Sequence, residues 1–144
     1  MNYEFKELTD LCAIEKTYGI YRHCMYQPTP EKFSRKMNGF LEDVGSKIFA
    51  CYHSGVLCGV MVLSFLAPDK AEIAGIATDP AARGSGVGTY MVNAAISQYH
   101  LHMLVAETDD DAVGFYRKSG FSITAFTETY DGEAVVRYNC KYTK

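Results

Sequence analysis

The chain has 144 residues, of which 48% are hydrophobic and 22% charged, and its formal net charge at pH 7 is −3. This composition is typical of a soluble globular protein, and the length fits one domain over residues 1–144. The isoelectric point near 5.8 argues against nucleic acid or an anionic membrane as the main partner. No apolar run approaches the ~18 residues that would cross a bilayer.

The first half of the chain shows alternating strand and helix patterns. A period of two predicts a strand over 2–8, and helical spacing predicts a helix over 9–21. Pro30 can start a second helix, whose apolar face consists of Phe33, Met37, Phe40 and Leu41. Strand patterns over 46–52 and 56–66 then flank a short polar turn and predict a hairpin.

The second half continues the same alternation. Five elements are expected in order: a strand over 70–78, a helix over 86–99, a strand over 100–108, a helix over 109–119, and a strand pair over 121–142. Gly75 interrupts the first of these strands, which indicates a bulge or the close approach of another group. The whole order predicts a mixed α/β sheet with a central strand–turn–helix unit.

The five cysteines form no C-x-x-C pair, and no Cys/His cluster has the spacing of a zinc site, so no metal is expected. The N-terminus shows no secretory signal pattern, which favours a cytoplasmic protein with reduced thiols. If Ser54-Gly55 is a two-residue hairpin loop, Cys51 faces Cys58 directly across the ladder. A buried pair of thiols is then favoured over a disulfide.

A loop with three alternating glycines, "DPAARGSGVG" at 79–88, joins the predicted strand over 70–78 to the helix that follows. A helix N-terminus leaves its first N–H groups unpaired and carries about half a positive charge, so anions bind there. Glycines let a phosphate approach the backbone, and the Arg83 guanidinium adds a two-pronged donor. The loop therefore predicts a phosphate or pyrophosphate site.

Other interpretations of the glycines were compared with this one. The Walker pattern requires a lysine after its last glycine, and no lysine follows Gly88. The dinucleotide fingerprint is not matched either, because G-x-G-x-G at this place in the chain does not fit it. A glycine-rich turn that only packs a helix on a strand stays open from the residues alone.

The wider context of the loop supplies a resemblance. R-x-x-G-x-G at 83–88, with "IAGIATDP" before it and "AVGFYRKSGF" after it, resembles the GNAT superfamily of acetyl-CoA-dependent N-acetyltransferases. The resemblance is strong over 60–125 and extends through the strand order to the whole chain. It implies a mixed, mostly antiparallel central sheet flanked by helices, in which splayed central strands form an acyl-CoA slot. It also implies acetyl-CoA as the co-substrate.

The resemblance assigns cofactor contacts residue by residue. It implies that the pyrophosphate of coenzyme A is bound by the main-chain N–H groups of Arg83, Gly84, Ser85, Gly86, Val87, Gly88 and Thr89. It places the backbone of Ile76, Ala77 and Thr78 beside the pantetheine arm, as though the cofactor were an extra strand. Gly75 then fits a bulge that opens the slot. Asp109 stands where many members have an asparagine that contacts pantetheine. Because a carboxylate cannot donate a hydrogen bond to a carbonyl, capping of the next helix is the favoured alternative for Asp109.

Acetyl transfer needs a neutral amine, yet an amine of pKa ~10.4 is only about one part in 2,500 neutral at pH 7. Glu72 matches the general-base position of several histone-type members, and strict alternation puts it on the same strand face as Ile76 and Thr78. Tyr116 matches the general-acid position, about two turns into a helix that starts near Asp110. The alternatives are a solvated strand acid and a core tyrosine.

The acceptor is the least defined part of the expectation. By resemblance, the segment between the first two helices, "YGIYRHCMYQPTPEKF", and the last hairpin, "TETYDGEAVV", shape its pocket. Both combine tyrosines with acids, which suits an ammonium group. A small-molecule, peptide or protein amine is expected, with no nucleic acid or membrane partner, and a homodimer is left open. A non-catalytic module that binds acetyl-CoA for regulation is the alternative, while action on charged tRNA is disfavoured by the acidic isoelectric point.

Overall fold

The computed structural model describes residues 2–144, which form a single seven-stranded sheet covered by helices on both faces. The strands are β1 (Tyr3–Leu8), β2 (Ser46–His53), β3 (Val56–Ala67), β4 (Lys70–Thr78), β5 (Met103–Thr108), β6 (Ser122–Tyr130) and β7 (Glu133–Thr143). The helices are α1 (Leu11–Glu15), α2 (Tyr18–Tyr21), α3 (Pro30–Glu42), α4 (Val87–Tyr99) and α5 (Val113–Lys118), with 3₁₀ turns at Arg22–Cys24 and Pro80–Ala82.

The strand order across the sheet is β1-β2-β3-β4-β5-β7-β6. Every neighbouring pair is antiparallel except β4 and β5, which run parallel. The predicted mixed, mostly antiparallel α/β sheet is therefore confirmed, together with the order of its elements. Among residues 2–144, no helix is long and apolar enough to cross a membrane.

Strand β3 separates two hydrophobic cores. Val60 and Val62 are buried with residues of α1, α2 and α3, whereas Met61 and Leu63 are buried with residues of α4 and α5. Successive side chains of a strand point to opposite faces, so a strand covered on both sides is apolar throughout, as this one is. The same division places α1–α3 on one side of β4 and α4 and α5 on the other.

The predicted helix over 9–21 is two short helices rather than one. Thr17 lies buried at the break, and its hydroxyl donates to the Ile14 carbonyl at 2.6 Å. A threonine that bonds back to the preceding turn competes with the regular helical ladder. The second predicted helix is α3, which begins at Pro30 because Thr29 Oγ1 accepts the Lys32 N–H at 3.1 Å.

The hairpin between β2 and β3 has the predicted turn but not the predicted register. Ser54 and Gly55 both have positive φ, as a two-residue loop requires. A bulge next to Cys51 then pairs this residue with Gly59 instead of Cys58. A Cβ at Gly59 would lie 2.8 Å from Met91 Cε, so the bulge brings a glycine to the place where α4 packs closest. Cys51 and Cys58 are nevertheless buried free thiols, as predicted, and the Cys58 thiol donates to the Cys51 carbonyl.

Candidate active site

The two central strands β4 and β5 separate along their length. They pair only where Lys70, Ala71 and Glu72 lie beside Met103–Val105, and from there to Thr78 the edge of β4 has no β5 partner. A bulge lies where they part, because Val62 pairs with Gly75 and Leu63 with Ile73, which leaves Ala74 unpaired. The structure thus contains the bulge that Gly75 indicated and the splayed strands that the resemblance implied.

Tyr21 explains why position 75 is a glycine. A Cβ there would overlap the Tyr21 hydroxyl and would lie 2.7 Å from its Cζ atom. Tyr21 is 2% exposed, and burial raises the pKa of its hydroxyl above the ordinary value, so the phenol stays protonated. Tyr21 lies in the segment that was expected to shape the acceptor pocket, but its contact with position 75 was not predicted, although a glycine inside a strand is the signal of such a close approach.

The bulge also changes the side of the sheet on which Glu72 lies. Strict alternation predicted that Glu72 shares a face with Ile76 and Thr78, and this prediction is wrong. Because the unpaired residue shifts the alternation by one, Glu72 shares its face with Gly75 and Ala77. Ala77 belongs to the core beneath α1–α3, so half-buried Glu72 is directed to the side of Tyr21 rather than to the side of α4.

The glycine loop joins β4 to α4 in a conformation that requires glycine at two positions. Gly84 and Gly86 have φ of +83° and +85°, and a Cβ at either would meet no atom within 4 Å. Backbone conformation rather than crowding therefore selects these glycines. Gly88 differs, because a Cβ there would lie 2.7 Å from Phe115 Cε1. It allows α4 to pack closely against α5.

The loop is anchored on both sides. The Asp79 N–H donates to the Cys58 carbonyl at 2.9 Å, and the Asp79 carboxylate accepts the Ala81 N–H at 3.0 Å. On the other side, the Tyr3 hydroxyl donates to the Ser85 carbonyl at 3.4 Å. The sheet therefore fixes the position of the loop at the open end of the β4–β5 gap.

The amide groups of the loop divide into two sets. The Arg83 and Ser85 N–H groups are used inside the turn, where they donate to Pro80 and Ala82 carbonyls at 3.4 and 3.2 Å. Within residues 2–144, no protein acceptor lies within hydrogen-bond reach of the remaining N–H groups, which are those of Gly84, Gly86, Val87, Gly88 and Thr89. Unpaired N–H groups at a helix N-terminus could hold an anion.

Tyr116 lies on α5, on the far side of the gap from β4. The helix begins at Val113, whereas the sequence predicted a start near Asp110. Tyr116 therefore lies about one turn into the helix instead of the predicted two turns. Its ring packs against the rings of Phe115 and Phe121, with centroid distances of 5.1 and 5.3 Å, and the residue is 4% exposed. Burial raises the pKa of the hydroxyl above its ordinary value, and the thiols of Cys140 and Cys24 add to this effect.

Cys24 lies near Tyr21 and Tyr116, in the segment that the resemblance expected to shape the acceptor pocket, although no individual role was predicted for it. Its side chain is exposed to the cleft. The surrounding protein nevertheless limits the solvation of a thiolate, and this raises the pKa of the Cys24 thiol to about 11. The Ile76 N–H and the Lys36 ammonium act in the opposite direction and lower this pKa, but their effect is smaller. The thiol also neighbours the Tyr21 hydroxyl. Cys24 therefore neighbours the Ile76 backbone of β4, Lys36 of α3 and the hydroxyls of Tyr21 and Tyr116.

Asp109 caps the turn that leads into α5. Its Oδ1 atom accepts the N–H groups of Asp111 and Ala112, both at 3.1 Å. Capping of the helix itself was predicted, but the N-cap residue of α5 is Ala112, so Asp109 caps the turn that precedes the helix. This capped turn is also the reason that α5 starts late, because the residues between Asp109 and Val113 form it.

A cavity of about 540 Å³ opens beside the bulge, and it differs from the predicted acceptor pocket. It is lined by Tyr21, Cys24, Met25, Tyr26, Lys32, Arg35, Lys36 and Ala74. The segment between α2 and α3 contributes tyrosines as expected, but the charged lining residues are three cations and none is an acid. The hairpin of β6 and β7 contributes no lining residue, so the predicted pairing of tyrosines with acids is wrong for this cavity.

The cations could have been found in the sequence. Lys32, Arg35 and Lys36 follow helical i, i+3, i+4 spacing in "EKFSRK", offset from the buried face that holds Phe33 and Met37. Within residues 2–144, no group of three or more His, Cys, Asp and Glu side chains is arranged to hold a metal ion.

Comparison with known proteins agrees with this geometry. The model of the acetyltransferase (GNAT) family matches residues 14–121. Peptidyl-lysine N-acetyltransferase YjaB of Escherichia coli is 44% identical over 54 residues, a match that spans 37% of this chain and 37% of the relative.

Solved structures show the same fold at low sequence identity. A point mutant of spermidine N-acetyltransferase SpeG from Vibrio cholerae superposes with a TM-score of 0.75 at 14% identity, covering 98% of this chain and 93% of its own. The ribosomal-protein-S18-alanine N-acetyltransferase of Escherichia coli superposes with a TM-score of 0.72 at 17% identity, covering 99% and 94%. With its family match, its splayed strands and its glycine loop, this chain belongs to the acetyltransferase (GNAT) family.

Proposed function

We propose that this chain transfers the acetyl group of acetyl-CoA to a primary amine by direct attack. The observation that carries the proposal is the unpaired edge of β4, which runs from the free amides of the glycine loop to the group formed by Tyr21, Cys24 and Tyr116. The proteins named above are, by their names, acetyltransferases of amine nitrogens, which supports an amine as the acceptor here.

The loop fits the pyrophosphate of the co-substrate. The free N–H groups of Gly84, Gly86, Val87, Gly88 and Thr89 would bind it, with help from the dipole of α4. This differs from the sequence expectation in one respect, because the Arg83 and Ser85 amides serve the turn. Arg83 then contributes through its exposed guanidinium.

The edge of β4 fits the pantetheine arm. Ile76, Ala77 and Thr78 pair with β3 on one side and have no β5 partner on the other, so their free edge is open to strand-like pairing with an extended ligand. Asp109 is left to the α5 turn, where its carboxylate is engaged. When bound, acetyl-CoA supplies the activated acetyl group as a thioester.

Direct transfer needs two proton movements. The amine nitrogen forms a bond to the acetyl carbonyl carbon as the carbon–sulfur bond breaks, so a proton must leave nitrogen and a proton must reach sulfur. We assign the first to Glu72, on the Tyr21 side of β4, and the second to Tyr116. The pKa of Tyr116 is raised by burial, so its phenol is fully protonated at neutral pH and available as an acid.

The three buried cysteines, which all lie in the core beneath α4 and α5, are free thiols. They are in keeping with the reducing cytoplasm that we propose as the site of action.

The loop assignment is tested by Thr89→Asp. A substitution at Gly84 or Gly86 would strain the backbone whatever the ligand does, whereas Thr89 is exposed in the first turn of α4, where an acid suits the helix dipole. The new carboxylate would repel a pyrophosphate, so calorimetry should show at least about a tenfold loss of acetyl-CoA affinity. Asn93→Asp, one turn further along the same exposed face, should bind normally. Equal affinity in both folded variants would show that the loop does not bind the pyrophosphate.

A further inference from the structure

The cavity beside the β4 bulge has an uneven charge distribution. On one side it is closed by Tyr21, Cys24 and Ala74, and on the other by three cations of α3. No carboxylate is among its lining residues, although the described chain is acidic overall. Its volume of about 540 Å³ lies in the range of small-ligand sites.

The cations of α3 lack anionic partners inside the protein. Lys32 Nζ donates to the Gln27 carbonyl at 2.9 Å. Within residues 2–144, neither it nor Arg35 nor Lys36 has a carboxylate oxygen within 4.0 Å. Like charges at i, i+3 and i, i+4 destabilise a helix, and Lys32 lies near the N-terminus of α3, where the dipole disfavours a cation. A bound anion would offset each of these costs.

The same cavity reaches the proposed reaction centre. The Cys24 thiol lines it and is close enough to Lys36 and to Tyr116 for each to affect an ionisation. Tyr21 lines it as well and contacts the Gly75 backbone, on the side of β4 to which Glu72 is directed. A molecule in the cavity would therefore meet the cations of α3 together with Tyr21 and Cys24.

We propose that the acceptor is a small amine that also carries a carboxylate, which the cations of α3 bind while its amino group faces the acetyl group. The inference rests on the proposed function and adds the acceptor class to it. An arginine fork matches a carboxylate in two parallel hydrogen bonds, and two ammonium groups add charge. A polyamine would bring only positive charge to a cationic site and is disfavoured.

The test uses free α-amino acids and their carboxamides, which differ in the carboxylate. Release of the coenzyme A thiol is followed for both series, with spermidine as a polycation. We expect at least about tenfold lower KM for an acid than for its amide. The double variant Arg35→Gln/Lys36→Gln should remove that preference and leave the KM for acetyl-CoA unchanged. Lys6→Gln, an exposed cation on β1, is the matched control.

Each outcome decides the question. Preference for amides or for spermidine overturns the inference while the proposed function stands, and so does a preference for acids that the double variant retains. If no amine is acetylated, the proposed function fails, and calorimetry of the amino acids with the coenzyme A complex then decides the inference. Binding that the double variant abolishes supports an anion site, and no binding refutes it.

Discussion

Replacement of Tyr116 by phenylalanine separates its chemical role from its packing role. The ring contacts Phe115 and Phe121, and those contacts survive in Tyr116→Phe because only the hydroxyl is removed. Within residues 2–144, the hydroxyl makes no hydrogen bond to a protein group. No bond is lost on substitution, so the free energy of unfolding should change by less than about 1 kcal/mol.

The expected effect on turnover is much larger. The departing thiolate has an ordinary pKa near 8.5 and leaves tolerably well without help, so general-acid assistance should lie at the low end of its usual range. We expect turnover to fall about a hundredfold, which corresponds to ~2.7 kcal/mol of transition-state stabilisation. Affinity for acetyl-CoA should be nearly unchanged.

The assay combines initial rates of thiol release with thermal unfolding and calorimetry on the same samples. Tyr142→Phe is the control, because Tyr142 packs against Phe121 but lies on β7, away from the gap. If Tyr116→Phe keeps more than about half of its turnover while chemistry limits the rate, Tyr116 is a packing residue. A loss of turnover that is explained by a matching loss of folded protein would lead to the same conclusion.

Glu72→Gln should lose the low-pH limb of the rate profile and recover part of its activity at high pH; an unchanged profile would leave Glu72 as a surface acid. Gly75→Ala should displace Tyr21 and lower the free energy of unfolding by about 1–3 kcal/mol. Gly39→Ala is the control, because a Cβ at this position on α3 meets open space and should not destabilise the fold. Equal melting temperatures of the two variants would refute the close contact at Gly75. Burial raises the pKa of Cys51 from 9.0 to about 12, so between these pH values the folded state keeps the proton that the unfolded state loses. The free energy of unfolding should therefore be full below pH 9 and fall towards pH 12, with a shallower fall in Cys51→Ala. Equal slopes in the alkaline denaturation curves of the two proteins would contradict this.

The fold was predictable because its signals are local. Periodicity gave the strands and helices, Pro30 gave the start of α3, and Asp131-Gly132 gave the last hairpin, whose two turn residues have positive φ. The bulge in β4 was predictable from Gly75, since a glycine inside a strand indicates a bulge or a close approach, whereas the gap between β4 and β5 was expected only from the resemblance.

The errors arose where an irregularity changed the register. The bulge at Ala74 moved Glu72 to the opposite face, and the bulge beside Cys51 changed its partner. Alternation from sequence assumes an unbroken strand, and the position of an inserted residue is set by tertiary packing. Tyr21 and Lys32 lie in the segment that was expected to shape the acceptor pocket, but the cavity that they share with Ala74 of β4 was not predicted, because it depends on tertiary packing.

The most direct test of the account is amine-dependent acetyl transfer by the full chain. Acetyl-CoA is incubated with a panel of primary amines, thiol release is followed, and the products are identified by mass spectrometry. The account predicts thiol release that depends on the amine, saturates with it and yields an acetyl group on nitrogen. Acetyl-CoA that binds to the glycine loop, while no amine accelerates thiol release above the hydrolysis background, would contradict it.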